Sequence, residues 1–116
     1  METNRIIGLW GEQLASQYLE KKGFVILEKN WRWKRSEIDL IARDGNTIVF
    51  VEVKARKNSS YGHPEAFVTH SKAARIKRAS VEYQYENNVN GFIRFDIISI
   101  TGNPSYFEIV HILDAF

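Results

Sequence analysis

Asp44-Gly45-Asn46 stands between two stretches, Glu37 to Arg43 and Thr47 to Arg56, that carry apolar residues at both odd and even positions. A Gly-containing turn between two such runs is a strong hairpin signal. In the second run Val49, Val51 and Val53 fill one face, while Phe50 shares the other with Glu52 and Lys54. In the first, Ile38, Leu40 and Ala42 alternate with Asp39 in the same way. A strand that is apolar on both faces belongs inside a sheet covered on both sides. The hairpin therefore predicts a central sheet with helices packed on it.

Turn geometry sets which residues face each other. If Gly45-Asn46 is the two-residue loop, Asp44 pairs with Thr47 and Asp39 lies opposite Glu52. If the loop is Asp44-Gly45, Asp39 pairs with Phe50 and Glu52 becomes its diagonal neighbour on the same face. Either register brings the two carboxylates close. Opposed like charges destabilise a sheet unless something neutralises them, and a bound cation is one economical answer.

The rest of the chain supplies the covering elements. Asn4 can cap a helix that runs to about Lys22, with Gly23 as its stop. Ile7, Trp10, Leu14, Tyr18 and Leu19 recur along it at helical spacing. Gly8 and Gly11 each cost about 1 kcal/mol inside a helix, so backbone there is expected to approach something closely. Phe24 to Leu27 reads as a strand that can extend towards Trp33. A polar loop spans Asn58 to Pro64, with Ser59 and Ser60 in it, followed by a helical turn over Glu65 to Val68. Thr69 or Ser71 can cap a helix to about Asn88, with Ala73, Ile76, Ser80 and Tyr83 inward. Asn90-Gly91 leads into a strand over Phe92–Thr101, and Gly102 to Ser105 turns into another over Tyr106–Leu113. The predicted order is α-β-β-β-α-β-β, a single α/β domain spanning 1–116 with a mixed sheet of about five strands.

Charge is unevenly placed. Residues 29–78 hold twelve of the sixteen Lys/Arg and five of the fourteen Asp/Glu, a net of +7, and the remainder is net −5. A basic middle between acidic flanks points to an anionic ligand. The chain has no cysteine, which excludes disulfides, thiolate metal sites and a cysteine nucleophile. No stretch has the length of a membrane span and the first residues lack a secretory pattern, so a cytoplasmic protein is expected.

The residue types suggest a chemistry. Asp39 and Glu52, with the backbone carbonyl of Val53, offer oxygen ligands to Mg²⁺ or Mn²⁺. Lys54 shares the strand face of Glu52 and can orient a water or offset charge on a phosphate. Glu12, beside the apolar stripe of the first helix, can reach in to a second cation or its water; a capped or ion-paired helix acid is the alternative. Trp31-Arg32-Trp33-Lys34-Arg35 interleaves rings and cations, a pattern that suits nucleic acid, with Arg32 and Arg35 the expected contacts and the tryptophans fitting a core equally well. Arg56, Lys72 and Arg75 extend the basic surface, and Lys72 and Arg75 share a helix face. The same charges would also suit a solvated hairpin. His63, His70 and His111 lack metal-ligand spacing.

Gly8, Gly11-Glu12, Leu19 to Gly23, Asn30, Glu37-Ile38-Asp39-Leu40-Ile41, Phe50-Val51-Glu52-Val53-Lys54-Ala55-Arg56, Lys72, Arg75-Ile76, Ala79 and Arg94-Phe95-Asp96 occur in this order. Together they resemble the YraN family of small bacterial proteins over nearly the whole chain. That family is similar to the restriction-endonuclease-like fold of PD-(D/E)xK nucleases, Holliday junction resolvases in particular. The resemblance implies catalytic roles for Glu12, Asp39, Glu52 and Lys54, Mg²⁺ or Mn²⁺ as cofactor, branched DNA as substrate and a homodimer. Two positions depart from the pattern: Ser36 stands where the family usually has glycine, and Ile38 where the superfamily has proline. A nucleic-acid-binding module without catalysis, and a protein-interaction domain with structural acids, are the alternative readings.

Overall fold

The computed structural model describes residues 4–58 and 62–116, so Ser59 and Ser60 of the predicted loop lie outside it. The elements are α1 (Asn4–Lys21), β1 (Val25–Trp33), β2 (Ser36–Asp44), β3 (Thr47–Arg56), a 3₁₀ turn (Pro64–Phe67), α2 (His70–Glu86), β4 (Phe92–Asn103) and β5 (Tyr106–Ile112). The predicted order holds. Asn4 lies within α1 and is not its cap. Thr69 is the cap of α2, its side chain accepting from Lys72 N–H.

One sheet runs β1-β2-β3-β4-β5. Its first three strands form an antiparallel meander. The chain then crosses through α2, and β4 pairs with β3 in parallel. β5 returns antiparallel on the far edge of β4. A parallel neighbour requires a crossover, and this one carries α2 across the sheet.

The hairpin adopts the Gly45-Asn46 register, with Asp44 opposite Thr47 and Leu40 opposite Val51. Gly45 alone of the two loop residues has positive φ, at 59°, as in a type II′ turn with glycine first.

Two cores flank the sheet. On the α1 side, Ala15, Leu19 and Phe24 pack with Leu40, Ala42, Val49, Val51, Ile98 and Ile100. On the α2 side, Ile76, Ala79 and Tyr83 pack with Ile38, Ile41, Phe50 and Phe95. Ile38 therefore does not share a face with Leu40 and Ala42, as strict alternation predicts. β1 pairs Lys29 with Leu40 and then Trp31 with Ile38, and the intervening Asn30 has a left-handed φ of 52°. This break in regular strand geometry sits beside Asp39, where the face changes.

Of the two helix glycines, Gly11 makes the close approach: a Cβ there would lie 2.6 Å from Ala55 Cβ. Gly8 does not, since an added Cβ would meet nothing within 4 Å. α1 thus seats directly on the end of β3 that carries Glu52 and Lys54.

Arg94 and Asp96 belong to a structural network on β4. Asp96 is fully buried and accepts from Arg94 Nε (2.9 Å), Arg94 Nη2 (3.0 Å) and Asp114 N–H (3.0 Å), with His111 Nε2 at 2.8 Å. Arg94 also reaches Asp44 at 3.6 Å, linking the β2–β3 turn to the C-terminus. These partners hold the Asp96 carboxyl below its ordinary value against the opposing effect of burial, the largest single influence on it.

Candidate metal and phosphate site

The paired registers of β2 and β3 end at Leu40 and Val51. Beyond that point a side chain replaces the ladder: Val53 N–H donates to Asp39 Oδ2 at 2.8 Å. The Asp39 carboxyl also comes within hydrogen-bonding reach of Glu52. Burial, the contact with Glu52 and the charge of Glu52 push Asp39 up to about 9, against the lowering effect of the Val53 N–H; Glu12 adds a smaller upward push. The two acids predicted to meet do meet, in a largely desolvated site.

A cleft of about 330 Å³ opens over this pair. Glu12, Arg35, Ser36, Glu37, Asp39, Glu52, Val53, Lys54, Lys72, Arg75 and Ile76 line it. Glu12 enters from α1, its seat set by the Gly11–Ala55 approach. Burial raises its carboxyl, the hydrogen bond with Asn30 opposes that, and the charges of Glu37 and Glu52 add to it. Lys72 enters from α2 and forms an ion pair with Glu52 Oε2. Arg75, one turn on, bonds Ser71 Oγ at 3.0 Å.

The sequence singles out ten acids, bases and backbone groups for one site and its surroundings, and the structure sorts them. Glu12, Asp39, Glu52, Val53, Lys54, Arg35, Lys72 and Arg75 are gathered in the cleft. Arg32 is exposed outside the lining and paired with Glu37 at 2.9 Å. Arg56 is buried, with Nε bonded to Thr101 Oγ1 at 3.3 Å and Nη1 to the Gly62 carbonyl. Its guanidinium ties β3 to β4 and to the following loop, so it is not among the groups presented in the cleft. Trp31 and Trp33 pack against the α2-side core, Trp31 edge-on to Tyr83. Asn30 and Glu37 were not given roles from sequence. The signal for Glu37 was present in its spacing, two residues before Asp39 on one strand; nothing local marks Asn30 as the partner of a helix acid.

Among the described residues no three His, Asp or Glu side chains converge as a ready-made metal cluster. The donor set nevertheless suits a hard cation that keeps most of its waters: two carboxylates in mutual contact, one of them raised chiefly by burial, beside the backbone of Val53.

A family model described as uncharacterised protein family UPF0102 matches residues 11–100, bearing out the resemblance to the YraN family. A UPF0102 protein of Syntrophomonas wolfei is 44% identical over 115 residues, covering 97% of this chain and 99% of its own. One from Rhodococcus opacus is 42% identical, with all of both chains covered. One from Flavobacterium psychrophilum is 40% identical over all of this chain and 98% of its own.

Proposed function

This chain belongs to the uncharacterised protein family UPF0102, and we propose that it is a divalent-cation-dependent endonuclease acting on branched DNA. The observation that carries this reading is the Asp39–Glu52 carboxylate contact at the floor of a cleft rimmed by Lys54, Lys72, Arg35 and Arg75. Acids at the floor and cations at the rim are complementary to a cation-bridged phosphodiester. The sheet order, with a meander followed by a parallel crossover strand, supports the restriction-endonuclease-like resemblance.

Asp39, Glu52 and the Val53 carbonyl would hold Mg²⁺ or Mn²⁺. When bound, such a cation supplies Lewis acidity, making hydroxide available near neutral pH and offsetting phosphate charge. The chain's own groups do the rest. The Val53 N–H holds Asp39 Oδ2 in place, so the carboxylate is oriented before any ligand arrives. Lys54 orients the attacking water and offsets charge on the phosphoryl oxygens. Arg35 and Arg75 take flanking phosphates, where contacts position the strand without reading its sequence. Glu12 carries the outer edge of the acidic floor. Resolution of a four-way junction takes two cuts, so this subclass requires a homodimer.

One observation favours a second reading, a nucleic-acid-binding module without catalysis: only two carboxylates are in mutual contact, and no third acid completes a cluster among the described residues. The separating experiment incubates the protein with labelled junctions, flaps, duplexes and single strands of DNA and RNA, with Mg²⁺ or Mn²⁺. Cleavage of branched DNA that disappears in Lys54→Ala supports the enzyme. Cation-independent binding with no product from any substrate supports the module. Cleavage that persists in Lys54→Ala rejects this site.

A further inference from the structure

Lys72 approaches the acids from the side opposite Glu12. It is the third residue of α2, and its backbone N–H is capped by Thr69 Oγ1 at 3.2 Å. A cation in the first turn works against the helix dipole, so its position there is stabilised by something outside the helix. That partner is Glu52, whose side chain is 7% exposed while that of Lys72 is 40% exposed. A buried carboxylate stripped of its counter-charge is strongly destabilising. The lysine, by contrast, is partly solvated on a flexible four-carbon stem and can leave at little cost. One carboxylate cannot hold an ammonium and a divalent cation together without strong repulsion between them.

Resting on the cation-dependent reading above, we infer that Lys72 is a resident counter-charge that competes with the divalent cation for Glu52, and that cation binding hands Lys72 on to a substrate phosphate. Lys72 is thereby a positioning residue that couples the two ligands: by linkage, whatever the cation does for phosphate affinity, phosphate does for cation affinity. Arg75 lines the same cleft but is bonded to Ser71, so it stands outside the exchange and serves as the comparison.

The test titrates Mn²⁺ into wild type, Lys72→Met and Arg75→Met by calorimetry. Binding of a labelled four-way junction is then followed by anisotropy in EDTA and in Ca²⁺. Lys72→Met is expected to bind Mn²⁺ about tenfold more tightly, within the usual range for coupled sites, and to lose junction affinity only when a divalent cation is present. Arg75→Met is expected to lose junction affinity in both conditions with Mn²⁺ affinity unchanged. If wild type binds Mn²⁺ and Lys72→Met binds it no better, the exchange is overturned while the cation reading stands. If neither binds Mn²⁺, the cation reading fails and the exchange fails with it. Should Lys72→Met not fold, acetylation of Lys72 in the wild type is measured by mass spectrometry: faster modification with Mg²⁺ supports its release, and an unchanged rate at saturating Mg²⁺ overturns it.

Discussion

Replacing Asp39 by Asn should make the cation-free protein more stable and the cation-loaded protein less so. Asp39 is pushed up to about 9 by burial and by its contact with Glu52. The folded state therefore holds a proton between about pH 4 and 9 that the unfolded state has released, and stability falls as pH rises through that window. At ~1.4 kcal/mol per pH unit above an ordinary aspartate value, this penalty reaches at most about 4 kcal/mol at pH 7. Residual exposure and the nearby ammonium groups screen it, leaving a gain for Asp39→Asn of ~1–2 kcal/mol. For a domain of this size, that is a rise in Tm of about 3–10 °C. The amide oxygen can still accept from Val53 N–H, so the strand-end bond survives. Urea unfolding in EDTA at pH 5, 7 and 8.5 measures the effect, which should grow with pH. Saturating Mn²⁺ should then reverse the order, since ligand at a hundred times its Kd stabilises the wild type by about 2.7 kcal/mol and the variant has lost a ligand. A variant that is less stable than wild type at pH 7 in EDTA, or equally stabilised at every pH, would refute the reasoning.

Three other outcomes are expected. Gly11→Ala forces a methyl to within 2.6 Å of Ala55 Cβ and should cost about 1–3 kcal/mol by overpacking, visible as a lower denaturation midpoint, whereas Gly8→Ala should be neutral or stabilising. Asp96→Ala removes the partner of Arg94 and His111 and should cost about 3–5 kcal/mol. Because the Asp96 carboxyl is lowered in the fold, its contribution is present above an ordinary aspartate value and is lost as pH falls through the lowered one, so the stability advantage of wild type over Asp96→Ala should shrink on acidification; Mn²⁺ affinity of Asp96→Ala, where it folds, should be unchanged. Mn²⁺ binding at pH 7 should release a proton from the Asp39–Glu52 pair, detectable as a buffer-dependent calorimetric enthalpy, and affinity should rise with pH.

The Asp96 network illustrates a partial reading. Arg94 and Asp96 lie two apart on one strand, so an ion pair between them is legible locally. His111 and the Asp114 N–H, which complete it, come from the far side of a turn and are visible only once β5 has paired with β4. Arg56 shows the opposite outcome: its charge suggested a ligand contact, and burial against Thr101 and Gly62 gives it a structural one.

The sequence alone determined what rests on short-range geometry. The Asp44-Gly45-Asn46 turn brings Asp39 near Glu52 in either of the two registers it allows, because turn type and side-chain alternation act over a few residues; the folded hairpin decides for the Gly45-Asn46 loop. The helix positions followed from apolar spacing, and for α2 from its Thr69 cap, for the same reason. What needed the folded chain was everything collective. The face change at Ile38 depends on how Asn30 and β1 sit beside Asp39. The elevation of Asp39 depends on its burial and on charges from two other elements, Glu52 of β3 and Glu12 of α1. The pairing of Lys72 with Glu52 depends on a crossover that returns α2 over the end of β3. Electrostatic environment is a sum over neighbours brought together by packing, and residues twenty positions apart become neighbours only when the sheet has closed around them.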